Sequence, residues 1–229
     1  QVRRVVAVKN ALLKALTELY SGAAPFEPFD AGSIYRDLCQ YADQLGPHVC
    51  DTRRLLQEAI TNGNRLLFEG ANAALLDLDH GTYPFVTSSS CLSLGAGIGT
   101  GVPAAAACQV VGVVKAYSSR VGGGPHPTEL HDQIGEHIRR AGHEFGTTTG
   151  RPRRCGWLDL AAVGYSAQVN GCGAIVCTGL SVLAGLERLR VCVGYRHRGR
   201  TLDEFPSHSE VLAAADPIYE DLEGFAGPI

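Results

Sequence analysis

Four short apolar runs, each closed by glycine or small residues, restrict what this chain can become: "RLLFEG" (65–70), "VVGVVKAYSS" (110–119), "GAIVCTG" (173–179) and "RVCVGY" (190–195). Runs of this length, rich in valine and bounded by turn residues, read as buried strands. Stretches with helical spacing alternate with them. Residues 2–20 and 34–45 are expected to be helical. "CDTRRLLQEAITNGN" reads as a helix capped by Asp51 and stopped near Gly63, and "DLAAVGYSAQVNG" as another. A further helix is expected within "PTELHDQIGEHIRRAG", with Thr128 as its N-cap. Alternating strands and helices predict an α/β fold with a largely parallel sheet flanked by helices. "RVCVGYRHRGRTLDEF" predicts two strands around a turn at "HRGR", and the last 25 residues read as polar and loop-rich.

The chain has 229 residues, 45% of them hydrophobic and 19% charged, enough to bury a core. Its formal net charge of -3 gives no global basic field for nucleic acid. Residues 81–114 carry no charge or histidine, yet Gly, Ser, Thr and Pro interrupt them, so no membrane span is expected. Eight cysteines without a C-x-x-C pair read as reduced thiols. His131, His137 and His143 are spaced by six and do not share a helical face, so no metal site is expected there. The chain contains no methionine and opens in mid-helix pattern, which predicts a fragment of a longer protein or a heavily processed product. Residues 1–229 are expected to be part of a single domain, with 1–50 mainly helical and 51–229 forming the α/β part with its ligand loops.

The chemistry concentrates in "HEFGTTTGRPRRCGW" (143–157). Guanidiniums grip carboxylate or phosphate through paired hydrogen bonds, threonine hydroxyls add directional contacts, and Gly150 lets the chain bend closely around a ligand. Such a loop suits a small dianion, or two anions side by side; a solvated basic loop is the plainer alternative. Its arginines are expected to be exposed, so that losing one costs little stability. Cys155 beside them reads as a packing residue rather than an activated thiolate. A second loop, "FEGANAALLDLDHGTYPFVTSSS" (68–90), offers Glu69, Asn72, Asp77, Asp79, His80, Thr87 and three serines for phosphate or sugar. A third, "GAGIGTG", lacks the glycine at 102 that a dinucleotide fingerprint needs and reads as a tight or mobile loop. No Walker A loop and no G-x-S-x-G is present.

Taken in order, "LLFEGANAALLDLDHGTYPFVTSS", "VVKAYSSRVGGGPHPTEL", "GHEFGTTTGRPRRCGWLDL" and "LRVCVGYR" resemble adenylosuccinate synthetase over about residues 50 to 220. The resemblance implies a P-loop-type α/β sheet with large insertions. It also implies GTP-dependent joining of IMP and L-aspartate with Mg2+, giving adenylosuccinate on the route to AMP, in a cytoplasmic homodimer. Residue by residue, it places Asn72, Thr87 and Arg151 at IMP. It places Thr147, Thr148, Thr149, Gly150, Arg151 and Arg153 at aspartate, and Arg153 also toward GTP. Arg154 at the loop's end is expected to matter less. The family's phosphate loop, its catalytic aspartate and histidine, and the arginine donated across the dimer precede the region covered, so no catalytic residue is assigned here and the chain alone is expected to be inactive. Two departures stand out. Asn72 replaces a glutamine, and Gly179 and Ser181 replace a lysine and an aspartate that read the guanine base. A non-catalytic relative acting by binding or assembly is the alternative those departures favour.

Overall fold

A computed structural model describes residues 1–20, 26–103, 109–146, 150–202 and 204–227. The chain divides into two compact units, Gln1–Leu55 and Leu56–Ile229.

In the first unit, helix α1 (Val2–Leu19) and helix α2 (Ala31–Leu45) pack together. Asp30 caps α2 by accepting from the backbone N–H groups of Gly32 and Ser33. Asn10 on α1 clamps the incoming loop with both ends of its amide: Nδ2 donates to Phe29 O and Oδ1 accepts from Phe29 N, each at 3.0 Å. Helix α3 (Thr52–Thr61) follows, with Asp51 Oδ1 accepting from Arg54 N and Gly63 in the left-handed region beyond its end. Both ends thus fall where the sequence put them.

The second unit is α/β, with parallel strand pairs flanked by helices. Strand β1 (Val111–Lys115) runs parallel to β4 (Ala174–Thr178), from Val111 opposite Ala174 to Lys115 opposite Thr178. The other sheet joins β2 (Tyr117–Arg120), β3 (Arg154–Asp159), β5 (Arg188–His197) and β6 (Arg200–Leu202) in that order, with β7 (Asp216–Glu223) paired to β5. The β3–β5 pairing is parallel; β2–β3, β5–β6 and β5–β7 are antiparallel. Helix α5 (Gln133–Ala141) packs on β3, and helix α6 (Leu160–Asn170) packs on β5. The main core gathers Tyr117, Ile138, Cys155, Trp157, Leu183 and Leu189 between these layers.

Several expectations need correction. The run at 110–119 is two strands, not one: the chain changes sheets at Ala116, so β1 pairs with β4 while Tyr117 pairs with Trp157. Nor are β1 and β4 buried, since Val113 is 74% exposed and every β4 residue is exposed among the described residues. Residues 65–70 form no strand, and Leu67 is 94% exposed. The glycine-rich 94–100 stretch is a helix, α4 (Leu94–Thr100), closed by Gly101 in the left-handed region. It is anchored at Ser93, whose N–H and Oγ both bond Asn170. Asp132, not Thr128, caps α5, accepting from Ile134 and Gly135 N–H. Thr128 is unavailable because its backbone and that of Leu130 are already bonded to β3. The polar C-terminal stretch holds helix α7 (Ser209–Ala213) and the eight-residue β7, stabilised by its long pairing with β5.

The turn between β5 and β6 does match. Arg198 (φ 51) and Gly199 (φ 78) both lie at positive φ, as a two-residue turn of the primed type requires.

Candidate functional site

The arginine loop is closed like a hairpin. Phe145 bridges Pro152, Gly146 N donates to Arg151 O at 2.8 Å, and Arg153 N donates to Glu144 O at 2.9 Å. Gly150 sits at φ 63, exposed, with its N–H on Gly146 O. A residue with a Cβ at that φ would be strained. Thr147, Thr148 and Thr149 lie outside the described residues.

The three arginines have different fates. Arg151 is exposed on the loop. Arg154 forms an ion pair with Glu129 and donates to the carbonyls of Gly122 (3.3 Å) and Gly124 (2.8 Å), so it ties β3 to the neighbouring glycine loop. Arg153 turns inward. Its Nη1 donates to Glu144 Oε2 at 3.0 Å, its own carbonyl accepts from Arg139 Nε at 2.9 Å, and its buried Nε has no hydrogen-bond partner among the described residues. The expectation that these arginines are all exposed is therefore corrected for Arg153 and Arg154. The hairpin closure places Arg153 beside a carboxylate nine residues away in sequence.

That carboxylate, Glu144, is 1% exposed. Its Oε1 accepts from Lys115 Nζ and from the Tyr117 hydroxyl (2.6 Å). Burial pushes the carboxyl up, but the bonds from Lys115 and Tyr117 and the charges of Lys115 and Arg153 outweigh it and hold it below its ordinary value. One carboxylate faces two cations, so the cluster keeps a net positive charge for an incoming anion. Sequence reading did not find Lys115, Tyr117 or the role of Glu144. The one available signal was Lys115, the first charge after the charge-free 81–114 stretch. Cys155 is buried, and burial followed by the nearby Glu144 pushes its thiol up. A thiol so held is inert, in line with its packing role.

The second loop is built around Asp77, 2% exposed. Its Oδ1 accepts from Asp79 N (2.9 Å) and His80 N (3.0 Å), and its Oδ2 accepts from Cys91 N (2.6 Å). Asp77 is thus a structural anchor rather than a ligand contact. Thr87 donates to Leu76 O (3.1 Å) and lies 3.0 Å from Ser89 Oγ, within a small hydroxyl cluster that includes Cys91. Asn72 and Glu69 are exposed. Arg120 links this loop to the glycine turn, donating to Thr82 Oγ1 (3.0 Å), Phe85 O (3.2 Å) and Gly123 O (2.9 Å).

Burial pushes the Asp77 carboxyl up, but backbone N–H groups led by His80 and Cys91 hold it below its ordinary 3.8. A lowered folded pKa contributes stability that is present above the unfolded value and lost as pH falls through the folded value. Asp77→Asn is therefore expected to cost about 1–3 kcal/mol near neutral pH and to flatten the loss of stability below about pH 4. Thermal melts of both forms across that range check this; parallel acid limbs would contradict it.

Gly179 follows β4 at φ 71 and starts a 3-10 turn, Leu180–Leu183, that contains Ser181. A Cβ at Gly179 would come 3.2 Å from Tyr117 Cε1. Larger residues there meet both backbone strain and the core tyrosine.

The sequence profile described as adenylosuccinate synthetase matches residues 1–229. The adenylosuccinate synthetase of Carboxydothermus hydrogenoformans is 46% identical over 228 residues, 99% of this chain and 53% of that protein. That of Desulforudis audaxviator is 50% identical over 196 residues, 86% of this chain and 46% of that protein. The solved structure of fully ligated adenylosuccinate synthetase from Plasmodium falciparum aligns with a TM-score of 0.84 at 36% identity, covering 100% of this chain and 54% of that one. The chain spans about half the length of the curated relatives it matches. By the match along its whole length, the chain belongs to the adenylosuccinate synthetase family.

Proposed function

We propose that the protein carrying this chain joins IMP to L-aspartate at the expense of GTP, forming adenylosuccinate on the route to AMP. The observation that carries this reading is Arg153: in a chain of this family, it is held on a buried carboxylate with Nε–H still unpartnered, at the base of a hairpin bearing Gly150 and Arg151. An orphaned charged donor is costly unless an anion completes it. In this proposal Thr147, Thr148, Thr149, Gly150, Arg151 and Arg153 hold the aspartate. Asn72, Thr87 and Arg151 contact IMP, and Arg153 also faces GTP. Their work is positioning and charge stabilisation, the main demand of phosphoryl transfer. Among the described residues no group of three or more His, Cys, Asp or Glu side chains comes together as a metal site. No step is assigned to the magnesium of the proposed reaction. No helix among the described residues is long and apolar enough to cross a membrane. We place the protein in the cytoplasm as a homodimer.

The base-reading positions favour a variation. Gly179 and Ser181 supply neither the cation nor the carboxylate that the family resemblance expects, so guanine discrimination should be weak. The assay is adenylosuccinate formation by the complete protein from IMP, aspartate and magnesium, with GTP, ATP or ITP as donor. Product is expected with GTP, with the other donors within about tenfold. A preference for GTP of about a hundredfold or more would show that other residues read the base. Ligand binding with no product from any donor would favour a non-catalytic relative.

A further inference from the structure

We infer that Glu144 is a positioning residue for Arg153, fixing which edge of its guanidinium meets the anion. This rests on the reading of Arg153 as an anion contact. A guanidinium offers a carboxylate two paired-donor edges, the end formed by both Nη groups and the side formed by Nε and one Nη. Glu144 Oε2 takes an Nη1 donor at 3.0 Å, so an anion at the end-on edge would have to share that nitrogen with a fixed carboxylate. The side-on edge carries no such competitor, and its Nε is a buried donor with no partner among the described residues.

Glu144 can impose this choice because it is itself held from several directions. Lys115 Nζ and the Tyr117 hydroxyl both bond Oε1, and its backbone carbonyl accepts from Arg153 N. Tyr117 is 4% exposed and fixed by tight glycine contacts: a Cβ on Gly142 would lie 2.5 Å from its hydroxyl, and one on Gly179 3.2 Å from its ring. The arrangement runs from core to site: Tyr117 is locked by packing, Glu144 by Tyr117 and Lys115, and Arg153 by Glu144. A planar fork held in one orientation before binding loses less freedom on binding.

The test is a double-mutant cycle in the complete protein, following kcat and the KM values for aspartate and IMP. Glu144→Gln is expected to raise the aspartate KM about tenfold and leave the IMP KM within about twofold. In an Arg153→Ala background the same change should add less than about twofold, because the residue it positions is gone. Tyr117→Phe, which keeps the ring, should shift the aspartate KM in the same direction by a smaller factor. It serves in place of Glu144→Gln if that variant does not fold. Equal effects of Glu144→Gln with and without Arg153, or equal rises in both KM values, would overturn the positioning role while leaving Arg153 as an anion contact. An Arg153→Ala variant with unchanged aspartate KM would instead remove the anion contact itself, and the positioning role with it.

Discussion

Arg153→Ala is expected to weaken aspartate binding by the complete protein about ten- to a hundredfold, the cost of one charge-assisted pair of about 1.5–3 kcal/mol. It should also destabilise the fold, which distinguishes it from Arg151→Ala. Removing the guanidinium takes one cation from a carboxylate that is 1% exposed. Breaking a fully buried pair costs about 3–5 kcal/mol. Here Lys115 and Tyr117 still bond Glu144, and the Arg153 side chain is 29% exposed. The loss should therefore be nearer 1–2 kcal/mol, by order of magnitude. Arg151 is exposed, so its loss should change stability by no more than about 0.5 kcal/mol. Arg154→Ala should show the reverse pattern: lower stability from the lost Glu129 pair and two carbonyl bonds, with aspartate dependence unmoved. Aspartate titrations and denaturant unfolding of the three variants separate these outcomes. If all three lose stability alike while aspartate dependence stays fixed, the loop is structural.

A large effect on the fold is expected from Gly156→Ala. Gly156 lies buried in β3, and a Cβ there would stand 2.3 Å from Thr128 O and 2.7 Å from Thr128 C. Both are backbone atoms, so no flexible side chain can yield. The segment they belong to is bonded to β3 on either side of the glycine, by Leu130 N to Cys155 O (2.9 Å) and Trp157 N to Thr128 O (3.1 Å). Pushing it away breaks those bonds and opens the core at Trp157. A loss of about 3 kcal/mol follows from overpacking alone, roughly 6–12 °C in Tm for a chain of this size. Gly164→Ala is the internal control: it lies in α6 with nothing within 4 Å of an added Cβ. It should be neutral or stabilise by up to about 1 kcal/mol, since alanine favours the helix. Equal melting temperatures for the two variants would contradict the packing described for β3.

Local chemistry explains which parts of the fold were legible in the sequence. Asp51 and Gly63 bound α3, Asp159 and Gly171 bound α6, and Arg198–Gly199 turns β5 into β6. Each acts through its own backbone or its nearest neighbours. The misread elements depend on distant partners. β7 exists through pairing with β5, α4 is anchored by Asn170, and the apolar 65–70 run has no strand partner among the described residues. The site divides in the same way. Gly150 and the arginines were visible as a cluster. The pairing of Arg153 with Glu144, and of Glu144 with Lys115 and Tyr117, joins residues up to 29 positions apart through the chain's change of sheet at Ala116. No spacing rule along the sequence reveals such a contact. It also changes the expectation for Arg153, whose loss should cost stability.

The most direct measurement is a crystal structure of the complete protein with IMP and L-aspartate bound. The account predicts an aspartate carboxylate side-on to Arg153, with its oxygens about 3 Å from Nε and Nη2, and Glu144 still on Nη1. Aspartate bound away from residues 150–153, with Arg153 Nε still unpartnered, would contradict it.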